Sequence, residues 1–387
     1  MRVLVSAGEY SGDLYAARML HALRENLQEP LVAFGMGGHE LQNIGAEIFI
    51  NSTNLQTHGL IEAIPHFFRL MNAFKTLVRL ADAKQPDWAL LVDFPDFHLR
   101  LAAALKKRGI PVVQFVAPTA WAWRPGRIRT LKNAVNKLLV IFPFEEPFFR
   151  EQGINADFIG HPLLDLIRIR LDRESFLHRY GWKEPIRVIG LMPGSRPREV
   201  TSLLPPMLAS LPRIQDRLGA IQPVLIPAPT IPPDLIQSIL AQHSALPVTL
   251  IKPDEKYDAM ANADILICAS GTAALEAMLV RTPAVVVYQV HPMTAWIARR
   301  LIHVRFVSMV NILAGTMIQP ELLQNDVTPD TIANHVIHIL TSPEALKRIF
   351  GYYFDVADQL GCLHAFEEGP RVLESFLRQC GVIQRGR

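Results

Sequence analysis

The chain has 387 residues, of which 50% are hydrophobic and 19% charged; that is core material for two domains and excludes an intrinsically disordered protein. A net charge of +3 suits an anionic ligand or a membrane surface and is too small to argue for nucleic acid. The three cysteines, Cys268, Cys362 and Cys380, form no CxxC pair and no zinc spacing, so no metal is expected and a reducing cytoplasm is. Val3-Leu4-Val5 before Ser6 is too short for a signal segment. No run reaches the ~18 apolar residues of a spanning helix, so any membrane contact is expected to be peripheral.

Val3–Ala7 reads as a strand, Gly8-Glu9-Tyr10-Ser11-Gly12-Asp13 as a glycine turn, and Leu14 to Leu27 as a helix. The order is Rossmann-like, but the turn is not GxGxxG, so a nicotinamide cofactor is disfavoured. Ser11 either caps the helix or touches a ligand. Glu9 is either a ligand contact or a solvated loop acid. Leu31–Phe34 reads as a second strand, with Gly35-Met36-Gly37-Gly38 as a second glycine turn.

Leu60 to Leu80 carries apolar residues at Leu60, Ile64, Phe67, Met71, Phe74 and Val78, a stripe widened by Phe68, Leu70 and Leu77, with Arg69, Lys75 and Arg79 elsewhere. This reads as a helix that faces either the core or a membrane surface or acyl chain. Trp88–Val92 is a buried strand ending in Asp93-Phe94-Pro95-Asp96-Phe97. Strand C-terminal ends hold the chemistry of open α/β sheets, which makes Asp93 a candidate general base. Asp96 reads as an N-cap or a ligand contact. After the strand Val112–Val116, a loop with Trp121, Trp123, Arg124, Arg127 and Arg129 suits an anionic or sugar-bearing ligand, or its tryptophans pack beneath the loop. Lys137–Phe142 is a strand, Pro143 is expected at the first position of the next helix, and Gly160-His161-Pro162 reads as a linker.

A second series of strands and helices begins at Arg187–Leu191, followed by Met192-Pro193-Gly194-Ser195-Arg196 and a helix near Arg198. Arg196 could neutralise a diphosphate leaving group without metal. Ile265–Ala269 reads as a buried parallel strand, Ser270-Gly271-Thr272 as a turn, and Ala273 onward as a helix. A helix N-terminus at the C-terminal edge of a sheet suits a phosphate, and Glu276, a turn further on, could hydrogen-bond a ribose. Ala284–Tyr288 is the next strand. Asn311 is either a satisfied turn residue or a site group. Pro320–Gln324 is expected to open a helix, and helices near 328–340, 343–359 and 364–379 end the chain.

Together these motifs resemble the lipid-A-disaccharide synthase family nearly end to end. The resemblance rests on Gly8-Glu9-x-Ser11-Gly12-Asp13, Phe34-Gly35-x-Gly37-Gly38, Asp93-x-Pro95-Asp96-Phe97 and Pro118-x-x-Trp121-Ala122-Trp123-Arg124. It continues through Phe142–Glu145, Gly160-His161-Pro162, Pro193-Gly194-Ser195-Arg196, Ser270-Gly271-Thr272-Ala273-x-Leu275-Glu276 and Asn311–Gly315. It implies an α/β protein of GT-B type: two Rossmann-like domains facing a central cleft, with C-terminal helices crossing back to the first. The expected segments are 1–160 for acceptor and lipid, 161–355 for the UDP-sugar, and 356–387 returning.

The implied reaction joins UDP-2,3-diacylglucosamine to the 6-hydroxyl of 2,3-diacylglucosamine 1-phosphate (lipid X), with inversion and release of UDP, and without a cofactor. Asp93 is the expected base, with Glu9 the fallback, and Arg196, Gly194, Ser195, Ser270, Gly271 and Thr272 hold the diphosphate. Glu276 grips the ribose, and Asn311 supports the diphosphate or donor sugar. Ser11, Gly12, Asp96 and Trp121 complete the expected substrate contacts. Tyr10, Phe94 and Val310 stand where the family has small residues or proline. Expected partners are the two lipid substrates and the inner-membrane surface from the cytoplasmic side; a homodimer is compatible with this expectation. Other readings are a UDP-N-acetylglucosamine epimerase, a lipid-linked-sugar transferase, or a non-catalytic nucleotide-binding module at a membrane surface.

Overall fold

A computed structural model of the chain describes residues 1–27, 30–52, 63–118, 126–290 and 305–383. The chain divides into two units, Met1–Asp165 with Leu360–Arg387, and Leu166–Gln359. The crossings between them lie a few residues beyond positions 160 and 355.

The first unit is built on β1 (Arg2–Ala7), β2 (Val32–Gly37), β3 (Glu47–Asn51), β4 (Trp88–Val92), β5 (Val112–Phe115), β6 (Lys137–Val140) and β7 (Ala156–Phe158). They form one parallel sheet in the order β3-β2-β1-β4-β5-β6-β7. Every residue of β4 is buried, as its unbroken apolar run requires of a strand covered on both faces. The strand ending at Phe34 in the sequence reading continues through Gly35-Met36-Gly37, with an irregular register against β3 between Gly35 and Met36. Glycine at position 35 serves close packing of the strands and at position 37 makes room for the Leu41 and Asp13 side chains, and the turn begins only at Gly38.

The helix after β1 runs from Tyr10 to Asn26 with Glu9 as its N-cap, so Ser11 lies in the first turn rather than capping it. The final helix, Ala365–Gln379, returns to this unit and packs on Tyr10–Asn26. Gly369 permits the approach, since a Cβ there would meet Met19 Cε at 2.4 Å. Asp165 fastens the return by accepting from Phe366 N at 3.1 Å and pairing with His364 Nδ1 at 2.6 Å.

The second unit contains β8 (Arg187–Met192), β9 (Ile221–Leu225), β10 (Thr249–Leu250), β11 (Ile265–Ala269), β12 (Ala284–Tyr288) and β13 (Glu321–Leu323). These strands are parallel, in the order β10-β9-β8-β11-β12-β13. The expected helix at Pro320–Gln324 is therefore corrected to a strand. Its residues have ordinary helix propensity, but β12 offers an open edge, and Val286 N donates to Pro320 O at 2.8 Å; pairing overrides propensity. Pro143 also lies outside its helix, which spans Glu145–Glu151 behind the N-cap Phe144.

His98 and His161 are buried in the first unit, and desolvation pushes each ring down to about 3. Each is neutral in the folded chain, whereas the unfolded chain takes up protons below about pH 6.5. The stability they carry is present above that pH and is lost as pH falls toward 3. Relative to His161→Gln, the unfolding free energy of the native chain should drop by about 1.4 kcal/mol per pH unit between pH 6 and 4. Parallel urea-unfolding curves at the two pH values would contradict this.

Candidate active site

In each sheet the strand order reverses beside the first strand of the unit, and open parallel sheets bind ligands at such a point. In the first sheet the reversal lies between β1 and β4, where Ala7 is level with Val92. Glu9, Ser11 and Gly12 therefore leave the sheet beside Asp93. Gly12 packs on this corner: a Cβ there would lie 3.1 Å from Val92 O and 3.6 Å from Asp93 Cβ. Asp93 takes the left-handed conformation, with φ +46°, which a short polar side chain tolerates better than most. Its N–H donates to Phe115 O at 3.2 Å, and the residue is half-buried.

Phe94 lies on the backbone of Gly8, where a Cβ would come within 2.3 Å of its ring. The ring packs on Phe97 and His98, at centroid distances of 5.4 and 5.8 Å. Below it, Ser6 Oγ and His98 Nε2 are 2.9 Å apart. Burial, and then the charges of Glu40 and Asp13, raise the Tyr10 hydroxyl above its ordinary value.

Asp13 is a positioning residue that sequence reasoning missed. Its buried carboxylate accepts from Gly38 N at 2.6 Å and Glu40 N at 2.9 Å, tying the two glycine segments together. The signal was an acid in a helix's first turn following two small residues, and its partners lie more than twenty positions away.

Asp96 does not cap a helix. Phe94 is the N-cap of Pro95–Lys106, and Asp96, in the first turn, pairs with buried Arg127 at 2.6 Å, fastening the helix Gly126–Ala134. Trp121, with Trp123 and Arg124, lies outside the described residues.

The second reversal lies between β8 and β11, where Met192 is level with Cys268. It brings Gly194, Ser195 and Arg196 to the same sheet edge as Ser270, Gly271 and Thr272. Gly194 has φ +115°. Ser195 N and Arg196 N donate to Glu199 Oε2 at 3.0 and 3.3 Å, and Arg196 Nη1 is 3.4 Å from Glu199 Oε1. The amides expected to receive a diphosphate thus hold a carboxylate from the first turn of the helix Pro197–Leu218, a capping arrangement that satisfies orphan N–H groups. Burial, and then the Glu199 charge, raise Tyr288, while Arg196 lowers it, so Tyr288 shares this corner.

Gly271, at φ +140°, caps the helix Thr272–Leu279, and Gly271 and Thr272 are exposed. Ser270 N donates to Val287 O at 3.0 Å. Glu276 is buried and takes both of its oxygens to Lys256 Nζ, at 2.6 and 2.8 Å.

Asn311, expected either to satisfy a turn or to support the diphosphate or donor sugar, is buried. Its amide donates to Gln319 O at 2.7 Å and Glu321 Oε1 at 2.8 Å, and its oxygen accepts from Ile318 N at 2.8 Å and Gln319 N at 3.0 Å. That uses its full capacity. Gln319 Nε2 in turn donates to Ala274 O at 2.9 Å, so Asn311 braces the helix beginning at Thr272. Among the described residues, no three His, Cys, Asp or Glu side chains cluster as a metal site.

Two parallel-sheet Rossmann-like units, each with glycine turns at its strand-order reversal, define the GT-B class of sugar-nucleotide glycosyltransferases and epimerases. UDP-GlcNAc 2-epimerase from Neisseria meningitidis, solved bound to UDP-GlcNAc, matches with a TM-score of 0.65 at 13% identity, covering 98% of this chain and 100% of that one. CalG4, the calicheamicin glycosyltransferase, matches with a TM-score of 0.58 at 14% identity, covering 98% of each chain. At such identities the likeness is one of fold. A family model for lipid-A-disaccharide synthetase matches residues 3–349. The lipid-A-disaccharide synthase of Syntrophus aciditrophicus is 37% identical over 366 residues, covering 94% of this chain and 95% of that protein. The chain belongs to the lipid-A-disaccharide synthase family, and is a hexosyltransferase of lipid A biosynthesis.

Proposed function

We propose that the chain transfers the diacylglucosaminyl group of UDP-2,3-diacylglucosamine to the 6-hydroxyl of lipid X. The second unit holds the donor. The loops at Gly194–Arg196 and Ser270–Thr272 take the diphosphate, with the phosphate replacing Glu199 on the amides of Ser195 and Arg196. Arg196 offsets the charge that develops on departing UDP, and Glu276 takes the ribose. The first unit presents Asp93 to the acceptor hydroxyl. As the hydroxyl oxygen bonds to the anomeric carbon, its proton passes to Asp93 and the sugar–phosphate bond breaks, its electron pair leaving with UDP. Attack opposite the leaving group inverts the centre.

The observation that carries this reading is the placement of the Asp93 set and the Arg196–Gly271 set each at its sheet's strand-order reversal. The test is to incubate the purified chain with UDP-2,3-diacylglucosamine, with and without lipid X. UDP release that requires lipid X, together with the mass of a tetraacyl disaccharide 1-phosphate, is the expected result. Epimerisation, or binding of UDP without turnover, would overturn it.

A peripheral position on the cytoplasmic face of the inner membrane fits the helix Ala63–Lys84. Ala73, Leu77 and Ala81 are buried, and Phe74 packs edge-on against Phe97 at 6.4 Å. Phe67 and Phe68, by contrast, are 51% and 60% exposed, and Arg69, Lys75 and Arg79 are also exposed. The one helix therefore packs on the core from Ala73 onward and offers exposed aromatics at its start, with cations along its exposed side. No helix among the described residues is long and apolar enough to cross a membrane. Replacing Phe67 and Phe68 with serine should reduce sedimentation with anionic liposomes several-fold while leaving the melting temperature within about 2 °C, since neither ring is core. Liposome binding equal to that of the native chain would rule the helix out as the contact.

A further inference from the structure

Lys256 belongs to none of the motifs, yet it engages the carboxylate expected to meet the donor ribose. It opens the short helix Lys256–Ala261 between β10 and β11, whereas Glu276 lies on the helix that follows β11. The Glu276 side chain is 5% exposed and that of Lys256 29%. Lys256 Nζ reaches Oε1 at 2.6 Å and Oε2 at 2.8 Å, and the Tyr257 hydroxyl donates to Oε1 at 3.0 Å.

Two physical needs meet here. A carboxylate taken out of water is costly unless paired. Glu276 also lies about 7.5 Å along its helix from Gly271, at a rise of ~1.5 Å per residue. An unneutralised charge at that distance would repel a diphosphate at the helix start. Lys256 answers both.

A carboxylate offers about four acceptor positions. Among the described residues, Lys256 takes one on each oxygen and Tyr257 takes the second on Oε1, which leaves one position, on Oε2.

We propose that Lys256 is a positioning residue for the nucleotide. It cancels the charge of Glu276 and fixes its plane, so that Oε2 accepts from one ribose hydroxyl and discriminates for it. The inference rests on the reading of Glu276 as the ribose contact. Neutralising Lys256 removes the orientation as well as the charge, whereas arginine at the same position keeps the charge and donor groups.

The test is calorimetric titration of UDP, 2′-deoxy-UDP and 3′-deoxy-UDP into the native chain, Lys256→Met, Lys256→Gln and Lys256→Arg, with folding checked by thermal melting. The native chain should prefer UDP to one of the two deoxy analogues by about tenfold or more. Lys256→Met and Lys256→Gln should bind UDP roughly 10- to 50-fold more weakly, with the preference over that analogue reduced to within about twofold. Lys256→Arg should recover most of both. If either neutral variant folds and keeps the preference, the assignment is overturned, whether or not overall affinity falls; equal loss for all three ligands would place Lys256 in diphosphate binding or in the fold alone. If the native chain prefers UDP to neither analogue, the reading of Glu276 fails instead, a result independent of the Lys256 variants.

Discussion

Asp93→Asn should lower kcat by about 10²–10⁴ while leaving the chain folded. The amide cannot accept the proton that the acceptor hydroxyl must lose. The backbone gives no reason for collapse, because asparagine tolerates a left-handed conformation as well as aspartate does, and φ at this position is +46°. The melting temperature should stay within about 3 °C of the native value. Donor affinity should change little, since Asp93 lies at the reversal of the first sheet and the diphosphate loops at that of the second. Rates are read as UDP released in the presence of lipid X. Glu9→Gln is the companion measurement, because Glu9 leaves the same sheet edge as the N-cap of the first helix. Near-native kcat in Asp93→Asn, with a large loss in Glu9→Gln, would transfer the base role to Glu9.

Gly35→Ala should be the most destabilising of these substitutions, by about 4 kcal/mol or more. Gly35 is paired with Val5 in the middle of the β1–β2 ladder, at φ +146°. A Cβ there would sit 2.1 Å from Val5 O, and backbone in a central ladder cannot move aside as a side chain can. Left-handed strain adds to the clash. The control is Gly45→Ala, at φ +79° with no atom within 4 Å of the added carbon. It carries conformational strain alone, about 1–2 kcal/mol. Thermal unfolding of the two variants separates the terms; equal losses would mean that the β1–β2 contact is not what requires glycine at position 35.

The limits of sequence reading are clearest at the phosphate loops. Strand, glycine turn and helix are all local features, and at Ile265–Glu276 each one stood in the sequence as it stands in the fold. The occupancy of the loops was not legible. Glu199 reads as an unremarkable acid in a helix's first turn; only the folded turn at Gly194 puts the amides of Ser195 and Arg196 on it. Asn311 shows the same limit. An asparagine in an apolar run signals a required polar group, but whether it faces a ligand or the protein depends on the segment at Ile318–Glu321, which leads into the edge strand Glu321–Leu323.

By itself, the sequence determined the central buried strands, such as Trp88–Val92 and Ile265–Ala269, and that a glycine turn and a helix follow Ile265–Ala269. Those choices follow from apolar period, backbone freedom and capping, all of which act within a few residues. It also determined the family, through the number and order of its motifs. Tertiary structure alone decided that Lys256 neutralises Glu276, that Asp13 ties the two glycine segments together, that Asp96 serves Arg127, and that Phe67 and Phe68 are exposed on a helix whose next turns are core. The physical reason is distance along the chain. A charge or hydrogen bond finds its partner through space, and these partners lie from about twenty to more than thirty positions apart, where no local pattern records which one the fold will bring.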